Sequence, residues 1–93
     1  MISCVDGRCT VTGAITIANV AALVNEAGGL LSADDITVDL SGVTEVDSAA
    51  VSLLLEWRRQ ALRAKRTIRF SNIPANLKSL ATVYGVSELL GEG

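Results

Sequence analysis

The chain has 93 residues and a formal net charge of −2, and 49% of its residues are hydrophobic, with a single Trp, Tyr and Phe. This length implies one domain over residues 1–93, with a core built from Leu, Val, Ile and Ala, and a mean hydropathy of +0.43 excludes a disordered chain. The acidic balance gives no electrostatic footprint for nucleic acid, and the absence of histidine removes the commonest general base and metal ligand.

Ile2 to Val5 and Arg8 to Thr12 flank Asp6-Gly7, a two-residue hairpin signal. In that register Val5 faces Arg8, Cys4 faces Cys9 and Ile2 faces Val11. Ile2, Cys4, Cys9 and Val11 then share the core face, because side chains alternate along a strand. A disulfide between Cys4 and Cys9 is sterically open, but two reduced thiols are expected in a reducing cytosol. Two cysteines alone make no four-ligand zinc site.

Gly13 to Thr16 ends the hairpin, and Thr16 is the expected N-cap of a first helix over Ala18 to Leu30. Val20, Leu23, Val24 and Ala27 recur at helical spacing and form its expected buried stripe. Gly28-Gly29 ends it, and Ser32 to Asp35 reads as a polar turn. The acids Asp34 and Asp35 have no partner cluster and read as solvated. Ile36 to Leu40 follows as a short strand with Val38 and Leu40 on one face.

After a turn, a second helix is expected from Ser48 or Ala49 to Lys65. Val51, Leu54, Leu55 and Leu62 fall on its buried side, with Ala50 and Ala61 nearby. Glu56, Arg59 and Arg63 fall opposite, which makes Glu56 a neighbour of Arg59 and Gln60. Arg58 should snorkel past the apolar edge. The basic run from Arg58 to Arg69 is interrupted by Gln60, Ala61, Leu62, Ala64, Thr67 and Ile68, and reads as a solvated face rather than a binding patch. Thr67 to Ser71 is a further strand and Asn72 to Pro74 a turn. A third helix spans Ala75 to Tyr84, with Leu77, Leu80, Ala81 and Tyr84 inward and Gly85 as its stop. Val86, Leu89 and Leu90 make a last apolar turn.

The fold class is therefore α/β, a mixed sheet with amphipathic helices in the order β-β-α-β-α-β-α. No segment has the roughly 18 consecutive apolar residues of a membrane span. The N-terminus also lacks the basic start and apolar run of a signal peptide, so a cytoplasmic location is expected.

Asp47-Ser48, at the start of the second helix, is the one candidate for chemistry. A nucleophilic Ser48 needs a base and an oxyanion site, and a histidine-free chain leaves only Lys or a carboxylate to serve. No Gly-Lys-Ser or Gly-Lys-Thr loop follows a strand, so nucleotide hydrolysis lacks its main device. Ser48 can instead cap the helix, or carry a phosphate at the positive helix end. Spacing leaves these two readings open. Trp57 is either core or, with Leu53, an apolar edge on the surface that marks a contact.

The segments Val38-Asp39-Leu40-Ser41-Gly42-Val43, Val46-Asp47-Ser48-Ala49-Ala50 and Leu53-Leu54-Leu55 resemble the STAS domain family. Leu54 to Trp57, Ile68 to Pro74, Leu77, Leu80-Ala81 and Tyr84 to Leu90 are similar to its MlaB-type members (toluene-tolerance protein E), subunits of a phospholipid transporter. The resemblance implies a STAS-like single domain without catalysis, cofactor or metal. It implies binding to the cytoplasmic ATPase subunit of an ABC transporter, and through it the permease, without membrane insertion. It places the domain peripheral to the inner membrane, in a system that maintains outer-membrane lipid asymmetry. The expected partner surface is Asp47, Ser48, Ala49, Ser52, Leu53, Glu56 and Trp57. In the family's anti-sigma factor antagonists the residue matching Ser48 is phosphorylated by an anti-sigma kinase. Here Ala50 stands where those proteins carry Gly, which favours a constitutive surface over a phosphoswitch. A small-ligand or lipid-binding domain with an apolar cavity is the remaining alternative.

Overall fold

The computed structural model describes residues 1–27 and 33–86. Strand β1 (Ile2–Val5) and strand β2 (Arg8–Ile15) form the expected hairpin, with Ile2 opposite Val11, Cys4 opposite Cys9 and Val5 opposite Arg8. Its turn places Asp6 at φ 51° and Gly7 at φ 81°, the left-handed pair that a two-residue hairpin of matching twist needs. The sulfurs of Cys4 and Cys9 are bonded, which corrects the expectation of free thiols. Ile2, Cys9 and Val11 are buried and Cys4 is half-buried, so the face assignment holds.

Helix α1 (Val20–Ala27) begins later than expected, and Gly28-Gly29 lies outside the described residues. Thr16 lies four residues before it, and its hydroxyl donates to the Asn19 side-chain oxygen at 3.2 Å. Residues 16–19 form a turn in which the Thr16 carbonyl accepts the Asn19 and Val20 N–H groups. The Asn19 side chain ties this turn down: its carbonyl oxygen accepts the Thr16 N–H at 2.8 Å, and its amide donates to the Ala14 carbonyl at 2.6 Å. Leu23 is buried and Val20 half-buried, but Val24 is 48% exposed. A short helix at the edge of the layer rests on one narrow stripe, and Val24 lies beyond it.

Strand β3 (Asp35–Val46) is the longest strand and passes straight through the expected turn after Leu40. It pairs in parallel with β2, and the register slips between Thr10 and Thr12 and again between Gly13 and Ala14. Gly42 sits at the first slip. A Cβ there would lie 2.8 Å from Thr12 Cγ2 and 3.1 Å from the Val11 carbonyl oxygen. The Ser41-Gly42 pair therefore marks close approach within an irregular ladder rather than a chain reversal.

Helix α2 (Ser48–Arg63) leads to strand β4 (Thr67–Ser71), which pairs in parallel with β3. Helix α3 (Ala75–Val83) follows. Among the described residues the four strands lie in chain order, β1-β2-β3-β4, with one antiparallel and two parallel junctions. This is the α/β order read from the sequence, since each parallel junction needs a helical crossover.

A core of described residues joins the inward side chains of the sheet to α1, α2 and α3, while Ser3, Arg8, Thr12 and Arg69 are exposed on the strands. Helix α2 touches both α1 and α3. Its buried surface is correspondingly broad: Ala49, Ala50, Val51, Leu53, Leu54, Trp57 and Ala61. Leu62, expected inside, is 59% exposed, because the last two turns bury only Trp57 and Ala61. Both α2 and α3 end in the same turn: the Lys65 and Arg66 N–H groups return to the Leu62 and Ala61 carbonyls, and those of Gly85 and Val86 to Thr82 and Ala81. Tyr84, expected inside, is the C-cap of α3 and is 54% exposed. No helix among the described residues is long and apolar enough to cross a membrane.

Candidate partner-docking site

Asp47 and Ser48 join β3 to α2, and their roles differ from the sequence expectation. Asp47 is the N-cap in extended conformation, and its Oδ1 accepts the Ala49 N–H at 2.8 Å. Its Oδ2 accepts the Ile17 N–H at 3.0 Å, which fixes the approach to α1 against the start of α2. The Ala50 N–H donates to the Asp47 carbonyl at 3.0 Å. Two donors of the first helical turn are therefore already satisfied by Asp47. Ser48 is the first helical residue and is exposed, so the cap is Asp47 and not Ser48.

Ser48 and Ser52 are exposed one turn apart and form a polar ridge along α2. On the α1 side the ridge borders an open groove of about 330 Å3, lined by Ile17, Val20, Val24, Ala49, Leu53 and Glu56. On the α3 side it borders a second groove, of about 320 Å3, lined by Val51, Leu55, Tyr84 and Val86. Ile17 is 79% exposed, and with Val24 and Tyr84 it gives the ridge apolar shoulders. Scattered exposed apolar residues mean little, but these converge on one place.

The structure therefore divides the expected partner surface. Ser48, Ser52 and Glu56 reach its outside, and Ala49 and Leu53 are buried at 8% and 3% exposure as groove floor. Glu56 accepts hydrogen bonds from Arg59 at 2.7 Å and Gln60 at 3.2 Å, as its spacing implied. Trp57 does not belong to the surface. At 3% exposure it lies in the core beside Ile36, Ala61 and Ile68, and the Leu53-Trp57 surface edge is ruled out. The breadth of the α2 contact explains this: a helix with neighbours on two sides buries residues that one stripe would leave out.

Ile17, Val24 and Tyr84 were missed by sequence reasoning. Val24 and Tyr84 have helical spacing that reads as core, and Ile17 lies in a turn without a pattern. The small cavity beside Trp57, about 50 Å3, has room for water rather than an acyl chain. Among the described residues no group of three or more Cys, Asp or Glu is placed to hold a metal.

The partners of Asp39 make its carboxyl more acidic. Its Oδ1 accepts the Ser41 N–H at 2.9 Å and the Asn72 side-chain amide at 3.1 Å. The Ser41 backbone bond first, then the Asn72 bond and the Arg8 charge, hold its carboxyl below the usual value of 3.8. It braces β3 against the turn after β4 and lies away from the ridge.

The architecture resembles a solved one. The anti-sigma factor antagonist SpoIIAA in its unphosphorylated form superposes with a TM-score of 0.75, over 95% of this chain and 82% of that one. At 13% identity the likeness is one of fold. No curated protein matches the chain. The family model described as "Mlab, STAS domain" matches residues 3–91. A match of that extent, on a sheet and helix order shared with an anti-sigma factor antagonist, means that this chain belongs to the Mlab STAS domain family.

Proposed function

We propose that residues 1–93 act as one non-catalytic docking domain for the cytoplasmic ATPase subunit of an ABC-type phospholipid transporter, engaged through the Ser48–Ser52 ridge. The domain then supports the ATPase, and through it the permease, in maintaining outer-membrane lipid asymmetry from the cytoplasmic side. Family membership supports this reading. The observation that carries it is the ridge itself: two exposed hydroxyls between two open apolar grooves, on the most deeply anchored helix of the fold. A rigid helix holding both grooves in fixed register is suited to constitutive binding, where little ordering cost is paid on association. The test is a pull-down with the purified cognate ATPase. Ser48→Arg places a long charged side chain on the ridge and should abolish capture while the far-ultraviolet circular dichroism stays unchanged. Undiminished capture counts against the surface.

A second reading has its own support. SpoIIAA is an anti-sigma factor antagonist whose structure is described as unphosphorylated, and Ser48 presents an exposed hydroxyl at a helix start. A phosphate at Ser48 would meet a positive helix end. Asp47 has already taken two first-turn donors, however, and adds a like charge beside it. Incubation with ATP and an anti-sigma kinase, followed by mass spectrometry, separates the readings: a phosphate on Ser48 favours the switch, and its absence favours constitutive docking.

A further inference from the structure

The charges of this chain are segregated. No lysine or arginine occurs between Arg8 and Arg58, whereas Arg58, Arg59, Arg63, Lys65, Arg66 and Arg69 follow within a short run. In the fold this becomes a polarity along α2, about 24 Å from end to end. Just before its leading end stand Glu45, exposed near the end of β3, and the cap Asp47, beside Ile17. Glu56 closes the groove floored by Leu53, although Arg59 holds its carboxylate. The far end of α2 carries the basic residues. Helix-dipole complementarity accounts for Asp47 at one end and Arg63 at the other. It does not account for Glu45, which lies outside the helix, or for the lack of any cation on α1 and its approach, residues 16–27. An apolar surface bordered by one sign of charge selects partners of the opposite sign and repels its own.

We infer that the partner segment seated along the Ser48–Ser52 ridge presents apolar side chains flanked by lysine or arginine. The apolar side chains enter the grooves beside Ile17, Val24 and Tyr84, and the cations face Glu45 and Asp47. Charge complementarity steers the encounter, and the grooves supply the contact area. The inference rests on the docking reading for the location of the site, and it concerns the chemistry of whatever binds there.

The test uses two amphipathic helical peptides with one leucine pattern, one bearing lysine and the other glutamate at every polar position. Each is titrated into the nitrogen-15-labelled protein. The lysine peptide should shift the amides of Ile17, Val24, Ser48 and Ser52 and bind about tenfold more tightly than the glutamate peptide at low salt. The difference should shrink at about 0.5 M salt, where screening is strong. Glu45→Lys, at an exposed position, should narrow the preference and leave the fold intact. Equal affinities, a preference for the glutamate peptide, self-association through the same residues, or shifts gathered at Asp34 and Asp35 would each overturn the inference, as would silence at the ridge with both peptides. Binding of the lysine peptide with no binding of the cognate ATPase would leave this inference standing and overturn the transporter reading.

Discussion

Replacing Asp47 by Ala should be among the most costly changes on the protein's surface, and Ser48→Ala next to it should cost almost nothing. Asp47 Oδ1 takes the Ala49 N–H at 2.8 Å, and removal of an N-cap side chain costs about 1 kcal/mol. Oδ2 takes the exposed Ile17 N–H at 3.0 Å, which water can replace in part, so this bond adds about 0.5 kcal/mol. The sum is about 1.5 kcal/mol, and with a urea slope of about 1–1.5 kcal/mol/M the midpoint falls by about 1–1.5 M. Asp47→Asn keeps the acceptor and should lose less than half of that. Ser48→Ala removes a hydroxyl that caps nothing and should stay within about 0.5 kcal/mol of the parent. Equilibrium urea unfolding followed by circular dichroism measures all three variants. Amide exchange adds a local check, since the Ile17 N–H should lose protection only in the Asp47 variants. If Ser48→Ala lost as much stability as Asp47→Ala, the assignment of the cap, and with it the free hydroxyl on the ridge, would be wrong.

The other consequences concern packing, backbone and acidity. Leu54 is fully buried on the inner face of α2, so Leu54→Ala should cost about 3 kcal/mol in urea unfolding, with a loss under 1 kcal/mol counting against the core assignment. Gly42→Ala sets a methyl against Thr12 Cγ2 and the Val11 carbonyl and should destabilise by about 1–3 kcal/mol; a neutral result would mean that β2 and β3 do not approach as described. Lys65 holds φ 58° at the end of α2, so Lys65→Gly should raise stability by about 0.5–1 kcal/mol, the relief of the left-handed strain less the added freedom of the unfolded chain. Asp39 should titrate below 3.8 by carbon-13 chemical shift, and Asn72→Ala should raise its midpoint. Because the folded value is depressed, the stability it contributes is present above the unfolded carboxylate value of about 3.9 and is lost as pH falls through the folded one. A midpoint at or above 3.8 would remove the Asn72 and Ser41 bonds from the account.

The hairpin, the last strand and the span of α2 were legible because each rests on local rules. Asp6-Gly7 fixes a register, Ile68 and Phe70 alternate with polar neighbours, and Asp47 and Lys65 bracket a helical period. The second half of β3 was not legible. Ser41-Gly42 carries turn composition, and only pairing with Thr12 to Ile15, distant in sequence, makes it strand. The same distance hid the site. Ser48 and Ser52 stand out along one helix, but Ile17 and Tyr84 reach them only after α1 and α3 have packed on either side. Trp57 shows the converse: its place on the helical wheel is a border position, and the breadth of the tertiary contact decides that it is core. Asn19 fixes the start of α1 through bonds to Thr16 and Ala14, a role that the neighbouring Thr16 obscured.

The central claim is that the Ser48–Ser52 ridge is where a partner protein docks. Isothermal titration of the cognate ABC ATPase into the parent protein, Ser52→Arg and Leu62→Arg tests it most directly, since both residues are exposed on the same helix and only Ser52 borders the grooves. The account predicts saturable binding by the parent, retained by Leu62→Arg and lost by Ser52→Arg with no change in unfolding midpoint. Equal binding by all three proteins, or loss confined to Leu62→Arg, would contradict it.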